Sequence, residues 1–367
     1  MSLRPRKEIE SLDVCVHGGP DYTELKELGL KPEDIIDFSV NSNPYSFPPG
    51  VAEAVKIAVI DSYPDSESAE LRDALAERNS VSGENILVGS GSMEIIRLIS
   101  QAYLKQGNKV VIPQPTFGEY ETACSIAGAA IIKVWSREED DFKTDIESIS
   151  STINKFKPKA VFICNPNNPT GQYIDKSEVE KLLNASKNTL FILDEAYIAF
   201  TEKSWHSESL ISKDNIIIVR SMTKDYALAG LRLGYAIAKN DTINNLKKIR
   251  PPWNINAVAQ KAGTAALKDG DYLKKCEVKI IEAKKYLAGA LGKLGYRIIP
   301  SRTNFFLMKV NSGKAFRKEL LKYGLMVRDC NSFGLPQYVR ISPRTMPECQ
   351  KLVSMIIKLR EEGKLLV

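Results

Sequence analysis

The chain has 367 residues, of which 43% are hydrophobic and 26% charged, and these values are ordinary for a globular protein. This length suits a large domain with a smaller one, or a single large α/β unit. The net charge of +6 comes from basic residues scattered among acidic ones, with no basic cluster interleaved with aromatic side chains. The composition therefore argues against nucleic-acid binding and leaves small anionic molecules as candidate ligands.

The sequence carries no segment of the kind that enters or crosses a membrane. No stretch approaches eighteen consecutive apolar residues, and the first residues lack the apolar core of a signal peptide. Cysteines occur singly along the chain, at Cys15, Cys124, Cys164, Cys276, Cys330 and Cys349. Isolated cysteines in a chain of this length are typical of reduced thiols, so we expect a cytoplasmic protein with no membrane partner.

Short apolar segments alternate with helical patterns through the first part of the chain. Predicted buried strands, most of them rich in β-branched residues, span 85–88, 109–112, 130–134, 160–164, 190–193, 215–219 and 234–238. Predicted helices span 68–78, 92–103 and 176–186. This alternation predicts an α/β fold with a mostly parallel sheet.

The pattern changes after the pair Pro251 and Pro252. A long helical segment runs from there to about Leu291, and short strands are predicted around 297–299 and 304–309. A further helix, a strand and a terminal helix follow. These elements predict a second, smaller α+β domain, with the boundary near the two prolines.

One lysine follows the predicted strand 215–219, in the sequence RSMTK at 220–224. Ligands of α/β proteins usually bind at the carboxyl ends of the strands. A lysine there becomes a nucleophile when a dry or cationic pocket lowers the pKa of its amine. Taken alone, a lysine after a strand is far more often a solvated surface charge, so the assignment of Lys224 depends on the neighbouring segments.

Three further polar segments follow predicted strands. Asp194 and Tyr197 come after strand 190–193, and Asn168 lies in the sequence NPNNPTG at 165–171. The sequence GSGSME at 89–94 joins a strand to a helix and offers free backbone N–H groups to a phosphate. Taken singly, these segments also fit a helix cap, a turn and an ordinary strand–helix connection.

The order of these segments is more informative than any one of them. Ser92, Asn168, Asp194, Lys224 and Arg232 follow one another, and neighbouring members from Asn168 to Lys224 are about one strand–helix unit apart. The carboxyl ends of parallel strands meet at one edge of a sheet, so we expect these side chains to gather at that edge.

Together the segments resemble fold-type-I pyridoxal-phosphate (PLP) enzymes of the class I/II aminotransferase group. The matching sequences are NPNNPTG at 165–171, LDEAY at 193–197, SMTK at 221–224 and AGLRLG at 229–234. The resemblance implies a large domain with a mostly parallel seven-stranded sheet, a small α+β domain and a homodimer with shared active sites. It implies a PLP-binding domain at 46–258, and an N-terminal arm and small domain formed by 1–45 and 259–367.

The resemblance also implies roles for single residues around the cofactor ring. Lys224 would form a Schiff base with the cofactor and later move protons. Asp194 would pair with the pyridinium nitrogen, and this pairing keeps the ring an electron sink. Asn168 and Tyr197 would bind the phenolic oxygen, and Phe117 would stack on the ring. Catalysis is therefore expected to rest on Lys224, Asp194 and Tyr197.

The remaining implied roles concern the cofactor phosphate and the substrate. Ser92, Met93, Ser221 and Arg232 would hold the phosphate. Tyr63 would reach the phosphate of the cofactor bound by the partner subunit.

On the substrate side, Arg340 would bind a carboxylate with both arms of its guanidinium group. His17 and Arg328 would contact a substrate phosphate, and Asn41 belongs to the same substrate-binding set. No metal ligand is expected.

Two branches of the group remain open from the sequence. The sequences HGG at 17–19, DFSVN at 37–41 and PWNIN at 252–256 resemble threonine-phosphate decarboxylases of cobalamin biosynthesis, whereas Thr116 and Gly118 resemble histidinol-phosphate aminotransferases. Transamination is the commoner reaction in this group. We therefore expect an aminotransferase acting on a small phosphorylated amino acid or amino alcohol, with the decarboxylase as the alternative.

A third alternative is a regulator that binds PLP without turnover. Such regulators carry an added DNA-binding domain, and no segment of the sequence corresponds to one.

Overall fold

The computed structural model describes residues 3–10 and 12–365. Its strands are β1 (Ile36–Asp37), β2 (Ile86–Ser90), β3 (Lys109–Gln114), β4 (Ala130–Trp135), β5 (Ala160–Cys164), β6 (Leu190–Asp194), β7 (Ile216–Ser221), β8 (Leu233–Ile237), β9 (Phe306–Lys309), β10 (Leu325–Met326), β11 (Arg328–Asp329) and β12 (Tyr338–Ile341). Its α-helices are α1 (Lys7–Glu10), α2 (Tyr22–Glu27), α3 (Gly50–Lys56), α4 (Ala69–Arg78), α5 (Gly91–Tyr103), α6 (Glu119–Ile126), α7 (Ile146–Phe156), α8 (Lys176–Ala185), α9 (Met222–Asp225), α10 (Asn240–Lys247), α11 (Ala257–Lys268), α12 (Tyr272–Lys293), α13 (Gly313–Leu321) and α14 (Met346–Glu361).

The large sheet has seven strands in the order β2-β8-β7-β6-β5-β3-β4. Strand β8 runs antiparallel to both of its neighbours, and the remaining pairs are parallel. The predicted α/β fold with a mostly parallel seven-stranded sheet is therefore confirmed. The predicted strand limits differ from the observed ones by at most two residues.

Both faces of the large sheet are covered, which explains why its strands are nearly continuous apolar runs. Side chains alternate between the faces of a strand, and in β7 Ile216 and Ile218 enter one hydrophobic core while Ile217 and Val219 enter the other. The first core includes side chains of α4, α7, α8 and α11, and the second includes side chains of α5, α6 and α10. The sheet is thus a rigid layer whose strand ends are fixed from both sides.

A smaller unit is built around the antiparallel sheet β11-β12-β9 and has its own core. The N-terminal segment joins this unit, because β1 pairs in parallel with β10 and the Ser342 amide donates to the Phe38 carbonyl at 3.0 Å. The segment that contains Ser39 and Asn41 is thereby held next to Arg340 on β12. The division into 46–258, with 1–45 joined to 259–367, stays a prediction.

Two predicted elements of this region differ from the structure. The long helical segment is two helices, α11 and α12, separated at 269–271 around Gly270. The predicted strand at 297–299 is reduced to an isolated bridge between Ile298 and Met308. Helix α12 joins the two cores, because Cys276 packs in the large one and Leu287 in the small one. In the described part of the chain, no helix combines the length and the apolar character that crossing a membrane requires.

Candidate active site

The carboxyl ends of β5, β6 and β7 lie side by side in the large sheet, and a cavity of about 330 Å³ opens there. Asn168 follows β5, Asp194 ends β6, and Lys224 lies in α9 directly after β7. The register pairs Cys164 with Asp194 and Asp194 with Val219, so these ends are level with one another. The cavity wall contains most of the residues singled out from the sequence: His17, Asn41, Ser92, Met93, Phe117, Asn168, Asp194, Tyr197, Lys224, Arg232, Arg328 and Arg340.

Two predicted residues are not part of this wall. The Ser221 hydroxyl lies 2.7 Å from the Thr223 hydroxyl and accepts the Thr223 amide at 3.3 Å, so it caps the short helix that carries Lys224. The ring of Tyr63 is 79% exposed and stacks on Trp253 with 4.4 Å between the ring centroids. The roles predicted for Ser221 and Tyr63 toward phosphate groups stay predictions.

The Lys224 amine is largely buried and lies near two guanidinium groups. Burial is the main cause that lowers its pKa to about 8, and the guanidinium groups of Arg232 and Arg340 lower it further. The carboxylate of Asp194 acts in the opposite direction. A sizeable share of this amine is therefore neutral near pH 8, as a lysine nucleophile requires.

The Asp194 carboxylate is buried and its two oxygens are held by separate donors. The Tyr120 hydroxyl donates to Oδ2 at 2.6 Å, and the Ala196 amide donates to Oδ1 at 3.0 Å. Burial raises the pKa of Asp194, while the bonds from Tyr120 and Ala196 and the charge of Lys224 counteract the rise. These donors orient a carboxylate that a cationic ring nitrogen can pair with.

The N-terminal end of α5, with Arg232 beside it, forms a candidate anion-binding site, which we call the anion seat. Gly91 has a φ of +75°, and a Cβ atom there would lie 2.9 Å from Nη2 of Arg232. The positive φ favours glycine here, and any side chain would have to displace this guanidinium from the first turn of the helix. A Cβ at Gly234 would lie 2.4 Å from the Ser92 amide nitrogen, so a bare backbone is needed on β8 as well. Unpaired N–H groups of the first helical turn and a guanidinium together suit a phosphate.

The Arg340 side chain extends from β12 of the small sheet to the carboxyl end of β5 in the large sheet. Its Nη1 donates to Oδ1 of Asn168, and its Nη2 donates to the Ser39 carbonyl at 2.6 Å. Its Nε is buried and has no hydrogen-bond partner among residues 3–10 and 12–365. Both polar atoms of the Asn41 amide are unpartnered in the same way. Unsatisfied buried donors in a cavity wall are groups that a polar ligand can satisfy.

The N-terminal arm forms the outer wall of the cavity. Arg328 donates to the carbonyls of Val16 at 2.7 Å and His17 at 3.0 Å, which holds the arm in place. The His17 ring nitrogen Nε2 lies 2.9 Å from Oε1 of Glu119, and the His17 ring centroid is 6.0 Å from that of Phe117. His17 and Arg328 are therefore adjacent, and their contact with a substrate phosphate stays a prediction.

Tyr120 and Glu119 are residues that the sequence reasoning did not single out as functional. Both are buried residues at the start of α6, and they contact Asp194 and His17 respectively. Tyr120 is 74 positions from Asp194 in the chain, and no local motif joins the two. The available signal is only that both residues follow closely after Phe117, which the resemblance to a known family assigns to the site.

The family model described as aminotransferase class I and II matches residues 33–356. The chain is 33% identical over 360 residues to histidinol-phosphate aminotransferase of Methanocaldococcus jannaschii, covering 96% of both chains. It is 38% identical over 322 residues to the chloroplastic histidinol-phosphate aminotransferase of Nicotiana tabacum, covering 86% of this chain and 76% of the relative. Sequence similarity therefore extends over nearly the whole chain.

Solved structures show the same fold. Histidinol-phosphate aminotransferase from Sinorhizobium meliloti, in complex with pyridoxal-5'-phosphate, superposes with a TM-score of 0.87 at 26% identity and 96% coverage of both chains. L-Threonine-O-3-phosphate decarboxylase from Porphyromonas gingivalis superposes with a TM-score of 0.78 at 28% identity, covering 88% of this chain and 99% of that one. Both branches suggested by the sequence thus share this architecture.

Proposed function

The chain belongs to the class I and II aminotransferase family and is a PLP-dependent transaminase, and we propose that it transfers the amino group of histidinol phosphate to 2-oxoglutarate. The substrate part of the proposal is supported by relatives of that name, which are 32–38% identical to this chain. The observation that carries the assignment as a PLP enzyme is the cavity at the strand ends. It combines a lysine of depressed pKa, a buried carboxylate and an anion seat.

The residues of the cavity fit the cofactor by the chemistry of their donors. We propose that Lys224 bonds the aldehyde, that Asp194 pairs with the ring nitrogen, and that Asn168 and Tyr197 bind the phenolic oxygen. Phe117 covers the ring in this proposal. When bound, the cofactor supplies an electron sink for bonds at the substrate carbon that carries the amine. Lys224, whose pKa is about 8, is suited to take and return a proton at that carbon.

Ser92, Met93, Ser221 and Arg232 are proposed to hold the cofactor phosphate.

Arg340 is proposed to bind the carboxylate of the acceptor, and its unpartnered Nε is a spare donor for that bond. Arg328, His17 and Asn41 form the proposed substrate side, where a phosphate would meet a guanidinium, an imidazole and a free amide. Histidinol phosphate itself has no carboxylate, so Arg340 serves the acceptor half of the reaction.

We further propose that the protein works as a homodimer in the cytoplasm. The segment before α4 exposes a run of large apolar side chains, in which Ile57, Val59 and Ile60 are all more than 60% exposed. Tyr63 and Trp253 continue the exposed surface as a stacked pair. Contiguous exposed apolar surface of this kind is typical of an interface. In a dimer, Tyr63 would meet the cofactor phosphate of the partner subunit.

The experiment that tests the reaction measures two activities of the purified holoenzyme. We expect glutamate to form from histidinol phosphate and 2-oxoglutarate, with kcat/KM about a hundredfold above that of histidinol, which lacks the phosphate that a cationic site selects. Lys224→Ala is the inactive control. O-Phosphothreonine without an acceptor should release no carbon dioxide.

The decarboxylase remains the second candidate, favoured by the structural similarity to the Porphyromonas gingivalis enzyme and by the position of His17 in the cavity wall. Carbon dioxide release from O-phosphothreonine, without glutamate formation from histidinol phosphate, would select it. If neither substrate reacts, both substrate proposals are wrong.

A further inference from the structure

Three side chains of different chemistry meet at the outer edge of the cavity. The Sγ of Cys15, a ring nitrogen of His17 and a carboxylate oxygen of Glu119 all lie within 4.8 Å of one another. Cys15 and His17 belong to the N-terminal arm, and Glu119 begins α6. We propose that these three residues, which we call the arm triad, bind a zinc-like divalent cation that pins the arm over the cavity.

The donor set matches the preferences of zinc. Zn²⁺ takes sulfur at about 2.3 Å and nitrogen or oxygen at about 2.0–2.2 Å, so the donors of a tetrahedral site lie roughly 3.3–3.6 Å apart. The Nε2 of His17 and the Oε1 of Glu119 are 2.9 Å apart, and the other separations stay below 4.8 Å. Side-chain adjustments of about 1 Å therefore suffice. Sulfur and imidazole donors argue against Mg²⁺ and Ca²⁺, which prefer oxygen.

The surroundings of the triad already orient one of the ligands, Glu119, and leave room for another. Oε2 of Glu119 accepts a bond from Nη2 of Arg97 at 2.8 Å, which leaves Oε1 directed at His17. A ligand held by a second partner in this way is typical of metal sites. A Cβ atom at Gly118 would lie 3.1 Å from Sγ of Cys15, so the glycine permits the close approach of the sulfur to α6.

Charge balance also permits a divalent ion. Cys15 and Glu119 supply two negative charges once the thiol proton has left to the solvent, and His17 coordinates as a neutral ring. Burial and the Glu119 carboxylate raise the pKa of the Cys15 thiol, so the cation must displace its proton. Arg97 and Arg328 face the triad and act in the opposite direction on that thiol. They weaken the attraction for a cation without occupying the three ligand atoms.

A cation bound here would affect substrate binding in the active site. Cys15 and His17 both line the cavity, so the fourth coordination position, filled by water, faces the space proposed for the substrate. The ion would hold His17 away from a substrate phosphate and fix the arm across the entrance. The expected consequence is inhibition by zinc.

Zinc binding is tested on the holoenzyme by equilibrium dialysis against zinc chloride, with bound zinc counted per chain. We expect one tightly bound ion, and dissociation constants at least about tenfold larger in Cys15→Ser and His17→Ala. His206→Ala is the matched control, because His206 also lies near a carboxylate, 4.0 Å from Glu208, but is 95% exposed. Binding that persists unchanged in Cys15→Ser, or that is lost in His206→Ala, overturns the site.

A second measurement uses the unaltered protein and so does not depend on how the variants fold. Cys15 is the one cysteine of the six that is not buried, so a thiol reagent should label it first in the folded holoenzyme. Zinc should slow this labelling at least about tenfold, whereas magnesium should not. Equal labelling rates with and without zinc would rule out Cys15 as a ligand. The result is independent of which amine is the substrate, so it stands or fails apart from the proposed function.

Discussion

The reactivity proposed for Lys224 depends on its tertiary surroundings. Burial and the two guanidinium groups lower the pKa of its amine from 10.5 to about 8, against the opposing charge of Asp194. The same carboxylate is held by Tyr120, a residue of another helix. At the scale of single residues, neighbouring charged groups in the site shift one another's pKa values.

The depressed pKa of Lys224 predicts a pH dependence of cofactor uptake. The neutral amine is the reactive form, and a lowered pKa makes this form predominant above about pH 8. The rate at which the apoenzyme combines with PLP should therefore rise with pH and level off above about pH 8. Stopped-flow absorbance measures this rate, with N-acetyllysine as the reference amine. A rate that climbs in parallel with that of the free amine would contradict the assigned environment.

Tyr120→Phe should weaken cofactor binding without unfolding the protein. The substitution removes the 2.6 Å bond to Asp194, and because that bond lowers the pKa of Asp194, its loss makes the carboxylate easier to protonate. A hydrogen bond to a charged group contributes about 1.5 kcal/mol, so the Kd for PLP should rise about tenfold. Tyr323→Phe, which alters a hydroxyl that contacts Lys364 at the surface, should leave the Kd within twofold. Equal Kd values for both variants would exclude a role for Tyr120.

At the scale of elements, the end of β2 and the start of α5 together form the anion seat. Ser90 ends β2, Gly91 turns the chain at a φ of +75°, and the guanidinium of Arg232 lies over the turn. The seat depends on backbone conformation as much as on side chains.

Gly91→Ala should impair binding of the phosphate group in particular. Its Cβ would meet Arg232 at 2.9 Å, and alanine is strained at this φ by about 1 kcal/mol. The Kd should rise at least about tenfold for PLP and much less for pyridoxal, which has no phosphate. Gly107→Ala is the matched control, with a φ of +83° and nothing within 4 Å of the added atom. Equal losses for both cofactor forms would contradict a phosphate seat at Gly91.

Elements with strong local patterns were predictable from the sequence. Buried strands such as β5 and β7 are apolar on both faces, so their limits emerged within two residues. The break between α11 and α12 was missed because Gly270 interrupts a pattern that is apolar and helical on both sides. Asn168, Asp194 and Lys224 were found because each lies at or after the end of a strand, and the other cavity residues because the sequence resembles a known family. The bonds from Tyr120 to Asp194 and from Glu119 to His17 were missed because they join segments 74 and 102 positions apart.

At the scale of the whole molecule, the sheet fixes the cavity from one side and the N-terminal arm and small unit cover it from the other. Arg340 spans the two parts through its bonds to Asn168 and Ser39. The exposed apolar segment at 57–60 lies outside both hydrophobic cores of the large sheet, so its burial requires another chain.

Ile60→Glu should disrupt the proposed homodimer. Ile60 is 80% exposed in the single chain, so a charge there costs little in the monomer but would be buried without a partner in the interface. Light scattering after size exclusion should show a dimer for the wild type and a monomer, or a dimer at least about tenfold weaker, for the variant. Val278→Glu, at the only large apolar residue of α12 that is strongly exposed, should stay dimeric. A wild-type monomer would refute the homodimer.

The most direct test of the account identifies the side chain that carries the cofactor. Borohydride reduction of the holoenzyme, followed by proteolysis and mass spectrometry, should find one pyridoxyl-phosphate group per chain, attached to Lys224. Lys284 is an internal control, because its pKa is also lowered to about 8 but its amine donates to the Ser301 and Thr303 carbonyls. Modification at Lys284 or another lysine, with Lys224 unmodified, would contradict the assignment on which the proposed chemistry rests.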